Sequence, residues 1–228
     1  FFFKQKTAYE IYQCDWSSDV CSSDLRAVFI LSVHPSVPAQ SVEEFVQLAR
    51  SKPGAIAYGT SGVGSPHHLA MEMFAQANGL ELLHVPFKGS SDTVAALLAG
   101  TLQSAMGLPS SFAPHVRSGK FRALAVTSPK RSAGFPDIPA LPERKVAPIE
   151  YESWWGMFAP RGTPAPLLDR LHAEVNKVLQ DKTYSDARLT KLGLEPYETA
   201  SASEAAAIVK TYYDRLAPVI RKAGIKAE

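Results

Sequence analysis

The sequence has few cysteines, no long hydrophobic run and almost no net charge. Its two cysteines are Cys14 and Cys21. The longest apolar stretch, residues 27–33, suits a buried strand and is far shorter than the roughly 18–20 residues that cross a bilayer. A net charge of +2 gives no basic field for nucleic acid, so we expect no nucleic-acid partner. The composition, 46% hydrophobic and 20% charged, is that of a globular protein with one or two domains.

The first 25 residues differ in character from the rest. They contain both cysteines and two Ser-Ser-Asp repeats, at 17–19 and 22–24, and show neither helical nor strand periodicity. Lys4 and Lys6 give the basic start of a signal peptide, but its apolar middle is missing. The segment resembles a translated sequencing adapter, so we predict a non-native, disordered arm at 1–25. The alternative is a genuine N-terminal arm. Without this segment the chain has no cysteine, which suits an oxidising compartment.

Short apolar runs alternate with amphipathic stretches from Arg26 onward, a pattern typical of an α/β fold. The apolar runs predict strands at 27–33, 55–59, 81–85, 103–107, 122–126 and 153–159. The amphipathic stretches predict helices at 41–50, 66–77, 92–99, 112–117, 164–180, 183–191 and 201–223. Because strands and helices alternate, we expect a parallel sheet with its ligand site at the carboxyl ends of the strands.

A connector rich in proline interrupts this pattern at 129–148. We therefore predict two α/β lobes joined at a hinge. One lobe consists of residues 39–127, and the other consists of residues 26–38 together with 128–228.

A glycine-rich turn, Tyr58-Gly-Thr-Ser-Gly-Val-Gly-Ser-Pro-His-His68, joins a predicted strand to a predicted helix. Its glycines allow the backbone to bend and a ligand to come close, and Ser65 followed by proline suits the start of a helix. Free N–H groups and hydroxyls at a helix N-terminus bind anions. We predict an anion site formed by Thr60, Ser61, Gly62, Val63, Gly64 and Ser65. The alternative is a plain strand-to-helix turn.

Two further turns follow the next predicted strands. After 81–85, Lys88 offers a cation, Gly89 allows close approach, and Ser91 can cap the next helix. After 103–107, Ser110 can line the same edge of the sheet or simply cap a helix. We expect Lys88, Gly89 and Ser110 to contribute to the anion site, because such turns converge at the carboxyl edge.

Other chemistries fit the turn poorly. A nucleophile elbow needs glycine where Val63 stands, and a dinucleotide fingerprint needs glycine where His67 stands. His67 and His68 are adjacent and cannot share one helical face as metal ligands. A triad of Ser61, His84 and Asp92 can be drawn, which keeps a hydrolase-like enzyme with a Ser61 nucleophile as an alternative. We expect no catalytic residue, metal or cofactor.

Six ordered segments resemble the Bug family, the extracytoplasmic solute receptors of tripartite tricarboxylate transporters. The segments are Tyr58-Gly-Thr-Ser-Gly-Val-Gly-Ser-Pro66, His84-Val-Pro-Phe-Lys-Gly89, Gly119-Lys-Phe-Arg-Ala-Leu-Ala-Val-Thr127, Phe135-Pro-Asp-Ile-Pro139, Phe158-Ala-Pro-Arg-Gly-Thr-Pro164 and Ala223-Gly-Ile-Lys226. The resemblance runs from about Ala27 to the C-terminus.

The resemblance implies a type II periplasmic-binding-protein fold, in which two α/β lobes close on a carboxylate held by main-chain amides and waters. It implies a periplasmic, non-enzymatic receptor that captures a small organic carboxylate and delivers it to the membrane permease subunits of the transporter. We expect a monomer. In such a receptor the 60–65 turn is a ligand loop, and Lys88-Gly89 is the turn beside it.

Two departures from the family's pattern affect these expectations. The family's export signal, the opening strands of its first lobe and a Gly-rich, Asp-containing carboxylate loop are not found before Arg26, so we expect a truncated receptor with an incomplete first lobe. The segment at 103–107 also has no acidic residue where the family usually carries one. We expect the isolated chain to bind carboxylates poorly. A further alternative is a chimera without function.

Overall fold

The computed structural model describes residues 18–225, except 133 and 198. The strands are β1 (Ser18–Val28), β2 (Ile30–Val33), β3 (Ala57–Thr60), β4 (Leu83–Pro86), β5 (Ser104–Gly107), β6 (Arg122–Val126), β7 (Glu152–Pro160) and β8 (Glu195–Pro196). The helices are α1 (Val42–Ser51), α2 (Pro66–Asn78), α3 (Ser90–Leu98), α4 (Pro109–Arg117), α5 (Ala165–Gln180) and α6 (Ala202–Lys222). Short helical turns at Leu141–Glu143, Lys182–Tyr184, Ser185–Leu189 and Thr190–Leu192 complete the elements.

The described chain divides into two compact units. The larger unit contains Val28–Glu152 and the segment that begins at Lys222, and the smaller unit contains the described residues up to Ala27 together with Ser153–Arg221. Each unit has its own sheet, with five strands in the larger unit and three in the smaller. The prediction of an α/β fold is therefore confirmed.

The five-stranded sheet of the larger unit has the order β4-β3-β5-β2-β6. β3 pairs in parallel with β4 and with β5, as predicted. β2 runs antiparallel to both of its neighbours, since Ile30 is paired with Gly107 of β5 and with Val126 of β6. The prediction of a parallel sheet is therefore wrong for β2. Its apolar sequence indicates a strand buried on both faces but carries no information about direction.

The boundary between the two units differs from the predicted boundary between lobes. Residues 26–38 were assigned to the other lobe, but β2 lies between β5 and β6 in the larger unit. The proline-rich connector also belongs to this unit, because Phe135 and Ile138 pack in the same core as Ile30. In addition, the Val126 N–H donates to the Pro139 carbonyl oxygen over 2.9 Å. Proline limits helix in the connector to the short turn Leu141–Glu143 but does not prevent the connector from covering a core.

Part of the predicted N-terminal arm is ordered. Residues 18–25 belong to β1, the middle strand of a sheet with the order β7-β1-β8, so the prediction of disorder is wrong there. Leu25 is paired with Pro196, and Arg26 lies 3.4 Å from the Glu195 carboxylate. Strands on both sides supply backbone hydrogen bonds that a segment without apolar periodicity can use. Residues 1–17 lie outside the described residues.

The smaller unit has a small aromatic core. Trp154 and Phe158 of β7 pack against Ala205 and Val209 of α6, and the Trp154 ring lies 6.0 Å from the Tyr212 ring, centre to centre. Trp154 therefore faces the core of its own unit. No helix among the described residues is both long enough and apolar enough to cross a membrane.

Candidate functional site

Three parallel strands end at one edge of the larger unit's sheet. β3, β4 and β5 end at Thr60, Pro86 and Gly107. The turns after β3 and β4 are in contact there, because the Phe87 N–H donates to the Thr60 carbonyl oxygen over 3.0 Å. The Thr93 hydroxyl donates to the same oxygen, also over 3.0 Å. The two turns that the sequence predicted to converge are therefore adjacent.

The glycine-rich turn after β3 leads directly into α2. Gly62 and Gly64 have φ angles of +126° and +71°, in a region that residues other than glycine rarely adopt. The Ser65 hydroxyl accepts the His68 N–H over 3.3 Å, and Pro66 occupies the first turn of the helix. The predicted cap by Ser65 is therefore confirmed, and the N-terminus of α2 lies at the carboxyl edge of the sheet.

Two groups that were expected to face an anion are instead bound inside the protein. Thr60 is fully buried, where its hydroxyl donates to the Gly62 carbonyl oxygen over 3.1 Å and lies 2.7 Å from His84 Nε2. The Gly64 N–H donates to His68 Nδ1 over 3.1 Å. These bonds hold the turn in shape. Thr60 and Gly64 thus support the turn and have no free donor for a ligand.

Other donors of the same turn remain open. In the described part of the chain, the backbone N–H groups of Val63 and His67 have no protein acceptor. Val63 is 44% exposed, so its N–H lies in a part of the turn that solvent reaches. The Ser61 hydroxyl lies 2.8 Å from His67 Nδ1 and is only partly buried. The two amides can hold one anionic oxygen, and the Ser61 hydroxyl can donate to a second one when the His67 Nδ1–H donates to Ser61 Oγ.

A stack of aromatic and histidine rings contacts this turn from inside the protein and was not predicted from the sequence. The rings of His68 and His84 are parallel within 12°, with centres 3.8 Å apart. Tyr58 lies 5.0 Å from His84, and its hydroxyl donates to Glu72 over 2.6 Å. Tyr58 and His84 are register partners on β3 and β4. The sequence could have placed Tyr58 beside His84 only if β3 and β4 were already known to be neighbouring strands.

Burial keeps the histidines of this region uncharged. It lowers the pKa of His67 and of His68 to about 4. The pKa of His84 is also lowered to about 4, first by burial and then by the proximity of His68. Burial, together with the hydrogen bond to Glu72, raises the pKa of Tyr58. At neutral pH all three imidazoles are therefore neutral, and each keeps one nitrogen as a hydrogen-bond acceptor.

The remaining predicted site residues lie on neighbouring turns. Lys88 is exposed just beyond β4. Gly89 precedes α3 with an extended backbone and open space around it, so the predicted need for glycine is absent there. Ser91 was expected to cap α3, but it lies within the first turn and makes no cap bond. Ser110 is exposed in the first turn of α4, after β5.

The residues of the suggested catalytic triad are not brought together. Ser61 contacts His67, whereas His84 contacts Thr60. Asp92 lies exposed in the first turn of α3. A pKa of about 4 makes His67 a weak base at neutral pH. Among the described residues, no group of three or more His, Cys, Asp or Glu side chains is arranged to hold a metal ion.

Comparison with known proteins relates this geometry to a family. The family model "Tripartite tricarboxylate transporter family receptor" matches residues 17–225. A Cupriavidus necator protein, "UPF0065 protein in gbd 5'region", is 34% identical over 197 residues, which cover 86% of this chain and 59% of that protein. Protein BugT of Bordetella pertussis is 28% identical over 86% of this chain and 60% of its own length. The chain thus spans about six-tenths of the length of these relatives.

Solved structures agree in fold. The R. palustris protein Rpa4515, solved with adipate, superposes with a TM-score of 0.81 at 31% identity, over 92% of this chain and 69% of that one. The periplasmic binding protein BugD superposes with a TM-score of 0.79 at 27% identity, over 92% and 71% of the two chains. The predicted family and the periplasmic-binding-protein fold are therefore confirmed. The chain belongs to the tripartite tricarboxylate transporter receptor family, together with the Bug proteins that it resembles.

Proposed function

We propose that this chain is the carboxylate-binding part of a periplasmic solute receptor that delivers a small organic carboxylate to a tripartite transporter. The observation that carries the proposal is the open N-terminus of α2 at the carboxyl edge of the sheet. There the N–H groups of Val63 and His67 have no acceptor among the described residues. Membership in the receptor family supports the same function.

The carboxylate binds through a few weak donors. One oxygen accepts the free N–H groups of the turn, and the Ser61 hydroxyl approaches the other oxygen. The α2 dipole adds a fraction of a kcal/mol, up to about 1 kcal/mol. Lys88, exposed on the adjacent turn, contributes a charge that salt screens. One turn with so few contacts gives at best millimolar affinity, so we expect weak binding by this chain.

The ligand we propose is a linear dicarboxylate. The relative Rpa4515, which is 31% identical, was solved with adipate. A dicarboxylate has two charged ends, and the partly buried turn of this chain holds only one of them. Adipate is therefore the probe of choice, and its uncharged diamide, adipamide, is the matched control.

The proposal excludes catalysis by Ser61. The contact of 2.8 Å between Ser61 Oγ and His67 Nδ1 is a feature that favours a hydrolase. Against it, the low pKa of His67 weakens it as a base, and Val63 stands where a nucleophile elbow needs glycine. Ester turnover by this chain that disappears in Ser61→Ala would contradict the receptor function.

The binding test is an amide NMR titration of the 228-residue chain with adipate and, separately, with adipamide. We expect adipate to shift the amides of 61–65, 67 and 88–89, and adipamide to leave them unchanged. Lys88→Gln should weaken the adipate response several-fold at low salt. Lys120→Gln, an exposed lysine that precedes β6 at the opposite edge of the sheet, should not. Equal shifts with both ligands, or shifts confined to other residues, would disprove this site.

The compartment and the partner need separate tests. Osmotic-shock fractionation of the source bacterium, probed with an antibody against this chain, should place the native protein in the periplasmic fraction. Cross-linking in intact cells with a carboxylate present should recover the permease subunits of a tripartite transporter. Recovery from the cytoplasmic fraction would contradict the proposed location.

A further inference from the structure

The ligand turn is tied to a histidine of its own helix. The Gly64 N–H, inside the turn, donates to His68 Nδ1 over 3.1 Å. The His68 N–H in turn donates to the Ser65 hydroxyl over 3.3 Å. Both bonds close within five residues and are buried. The conformation of the turn therefore depends on whether His68 Nδ1 carries a lone pair or a proton.

A second histidine holds the same turn from the neighbouring strand. His84 Nε2 lies 2.7 Å from the Thr60 hydroxyl, which donates to the Gly62 carbonyl oxygen. The His84 ring stacks on His68 with ring centres 3.8 Å apart. The two imidazoles thus contact the two ends of the turn, at Thr60 and at Gly64.

The titratable groups that face this pair are few. On α2, the Glu72 carboxylate lies 3.9 Å from His68 Nε2, and on β3 Tyr58 packs beside both rings. Tyr58 also donates its hydroxyl to Glu72. His67, the remaining histidine of α2, contacts Ser61 and Phe29 instead. Among the described neighbours, Glu72 is therefore the group that attracts a proton to the pair.

We propose that His68, supported by His84, is a positioning residue that keeps the 60–65 turn in its anion-binding shape through the bond from Gly64, and that a proton on His68 releases the turn. This inference rests on the proposed carboxylate site, since it describes the regulation of that site. Protonated Nδ1 becomes a donor that points at another donor, the Gly64 N–H, so the bond is lost. Two imidazolium rings stacked at this distance also repel each other.

The sign of the pH dependence follows from burial. Burial lowers the pKa of both histidines to about 4, so the turn is held at neutral pH and is released in acid. The imidazolium charge alone would attract a carboxylate. The His68 ring is buried, however, and the Glu72 carboxylate partly neutralises its charge. The loss of the turn's shape therefore outweighs the attraction between the imidazolium and the carboxylate. Binding should therefore weaken in acid by more than the protonation of the ligand explains.

Two substitutions at His68 separate the ring from its acceptor atom. His68→Phe keeps a ring stacked on His84 but removes the acceptor for Gly64. His68→Asn places an amide oxygen close to the position of Nδ1 and has no charge at any pH. We expect His68→Phe to bind adipate about fivefold more weakly at neutral pH, the effect of one net hydrogen bond. His68→Asn should bind within about twofold of the parent chain.

The main readout needs no ligand. In the parent chain the amide signal of Gly64 should titrate together with the His68 ring signals. In His68→Asn this titration should disappear while the signal stays near its neutral position. In His68→Phe the Gly64 amide should exchange with solvent about tenfold faster. The affinity of the parent chain for adipate, divided by that of His68→Asn, should also fall as the pH is lowered. Protonation of adipate affects both chains equally and cancels in this ratio, so the fall reports on His68.

Failure of the histidine switch can be distinguished from failure of the proposed carboxylate-binding function. If no variant binds adipate but the Gly64 titration and its loss in His68→Asn are found, the receptor proposal fails and the histidine switch of the turn stands. A Gly64 amide that titrates equally in the parent chain and in His68→Asn overturns the switch. If His68→Phe does not fold, the comparison with His68→Asn still decides.

Discussion

At the scale of single residues, the turn depends on Gly62 and Gly64, which have positive φ angles. Gly54, elsewhere in the chain, is a matched control for a substitution at Gly64. Gly64 and Gly54 both have a φ of +71°. Alanine at either position costs about 1 kcal/mol of backbone strain. We expect Gly64→Ala and Gly54→Ala to lower the free energy of unfolding by similar amounts, measured by urea denaturation. Only Gly64→Ala should weaken the adipate response, because Gly54 lies before β3, away from the turn. Loss of adipate binding in both variants would mean that lower stability alone explains the weaker binding.

Acid should destabilise the larger unit through its buried histidines. In the folded state the pKa of His67, His68 and His84 is about 4, against 6.5 for a free histidine. The unfolded chain therefore takes up protons first. The stability that these neutral rings contribute is complete above pH 6.5 and falls as the pH drops toward 4.

The window from pH 6.5 to 4.5 isolates this effect. The pKa of Glu43 is lowered from 4.5 to about 2 by its hydrogen bond from Arg144, so the stability from that pair is lost only below the window. We expect the urea midpoint to fall steadily between about pH 6.5 and about pH 4.5. His68→Asn should reduce the slope by roughly a third, since one of three titrating groups is removed. An unchanged midpoint across the window would contradict neutral, buried histidines.

The sequence predicted the local bonds of the turn better than its long-range ones. The Ser65 cap followed from Ser-Pro at a helix start, because a cap involves residues three positions apart. The contact between Thr60 and His84 joins residues 24 positions apart and requires the pairing of β3 with β4. Consequently Thr60 was assigned to the ligand, although it is bound inside the protein.

At the scale of elements, Thr127 ties three segments of the larger unit together. The Phe29 N–H donates to the Thr127 hydroxyl over 2.9 Å, and that hydroxyl donates to the Tyr151 carbonyl oxygen. Thr127 is fully buried. Thr127→Val keeps the shape but leaves a buried N–H and a buried C=O without these bonds, so it should cost about 2–3 kcal/mol.

The matched control for Thr127 is Thr101, an exposed threonine whose hydroxyl donates to the Ala96 carbonyl oxygen over 2.9 Å. Thr101→Val should change the free energy of unfolding by less than about 0.5 kcal/mol. Both variants are compared by urea denaturation at neutral pH. Equal, small effects would mean that water satisfies the groups around Thr127.

The prediction of elements succeeded where local patterns decide and failed where pairing decides. Helix α2 begins at Pro66 and β6 spans Arg122–Val126, as the sequence predicted. The helix expected at 183–191 is present as an unbroken helical segment at 182–192, whose hydrogen-bond pattern changes at Ser185 and again at Thr190. β1 was missed because its segment shows no alternation of apolar residues, and it is ordered by pairing within a sheet.

At the scale of the whole molecule, the two units differ in how their sheets are assembled along the chain. All five strands of the larger unit's sheet lie within Val28–Glu152. The three-stranded sheet of the smaller unit takes its middle strand, β1, from before the larger unit and β7 and β8 from after it. The proline-rich connector suggested a boundary at 128, but the chain leaves the larger unit only at β7. A change in composition indicates a change in local structure and does not indicate which core a segment covers.

This difference predicts how the units behave when separated. A chain of residues 28–152 retains α1–α4, all five strands and the core around Ile30, Leu97 and Phe112. We expect it to fold, with a cooperative thermal transition and dispersed amide signals, at somewhat lower stability because Ile225 is no longer present to pack. A chain of residues 153–221 lacks β1, so its outer strands have no partner and it should remain unfolded. The fragment 28–152 should also keep the Gly64 titration of the full chain. A fragment 28–152 without a cooperative transition, or a folded fragment 153–221, would contradict the division into these two units.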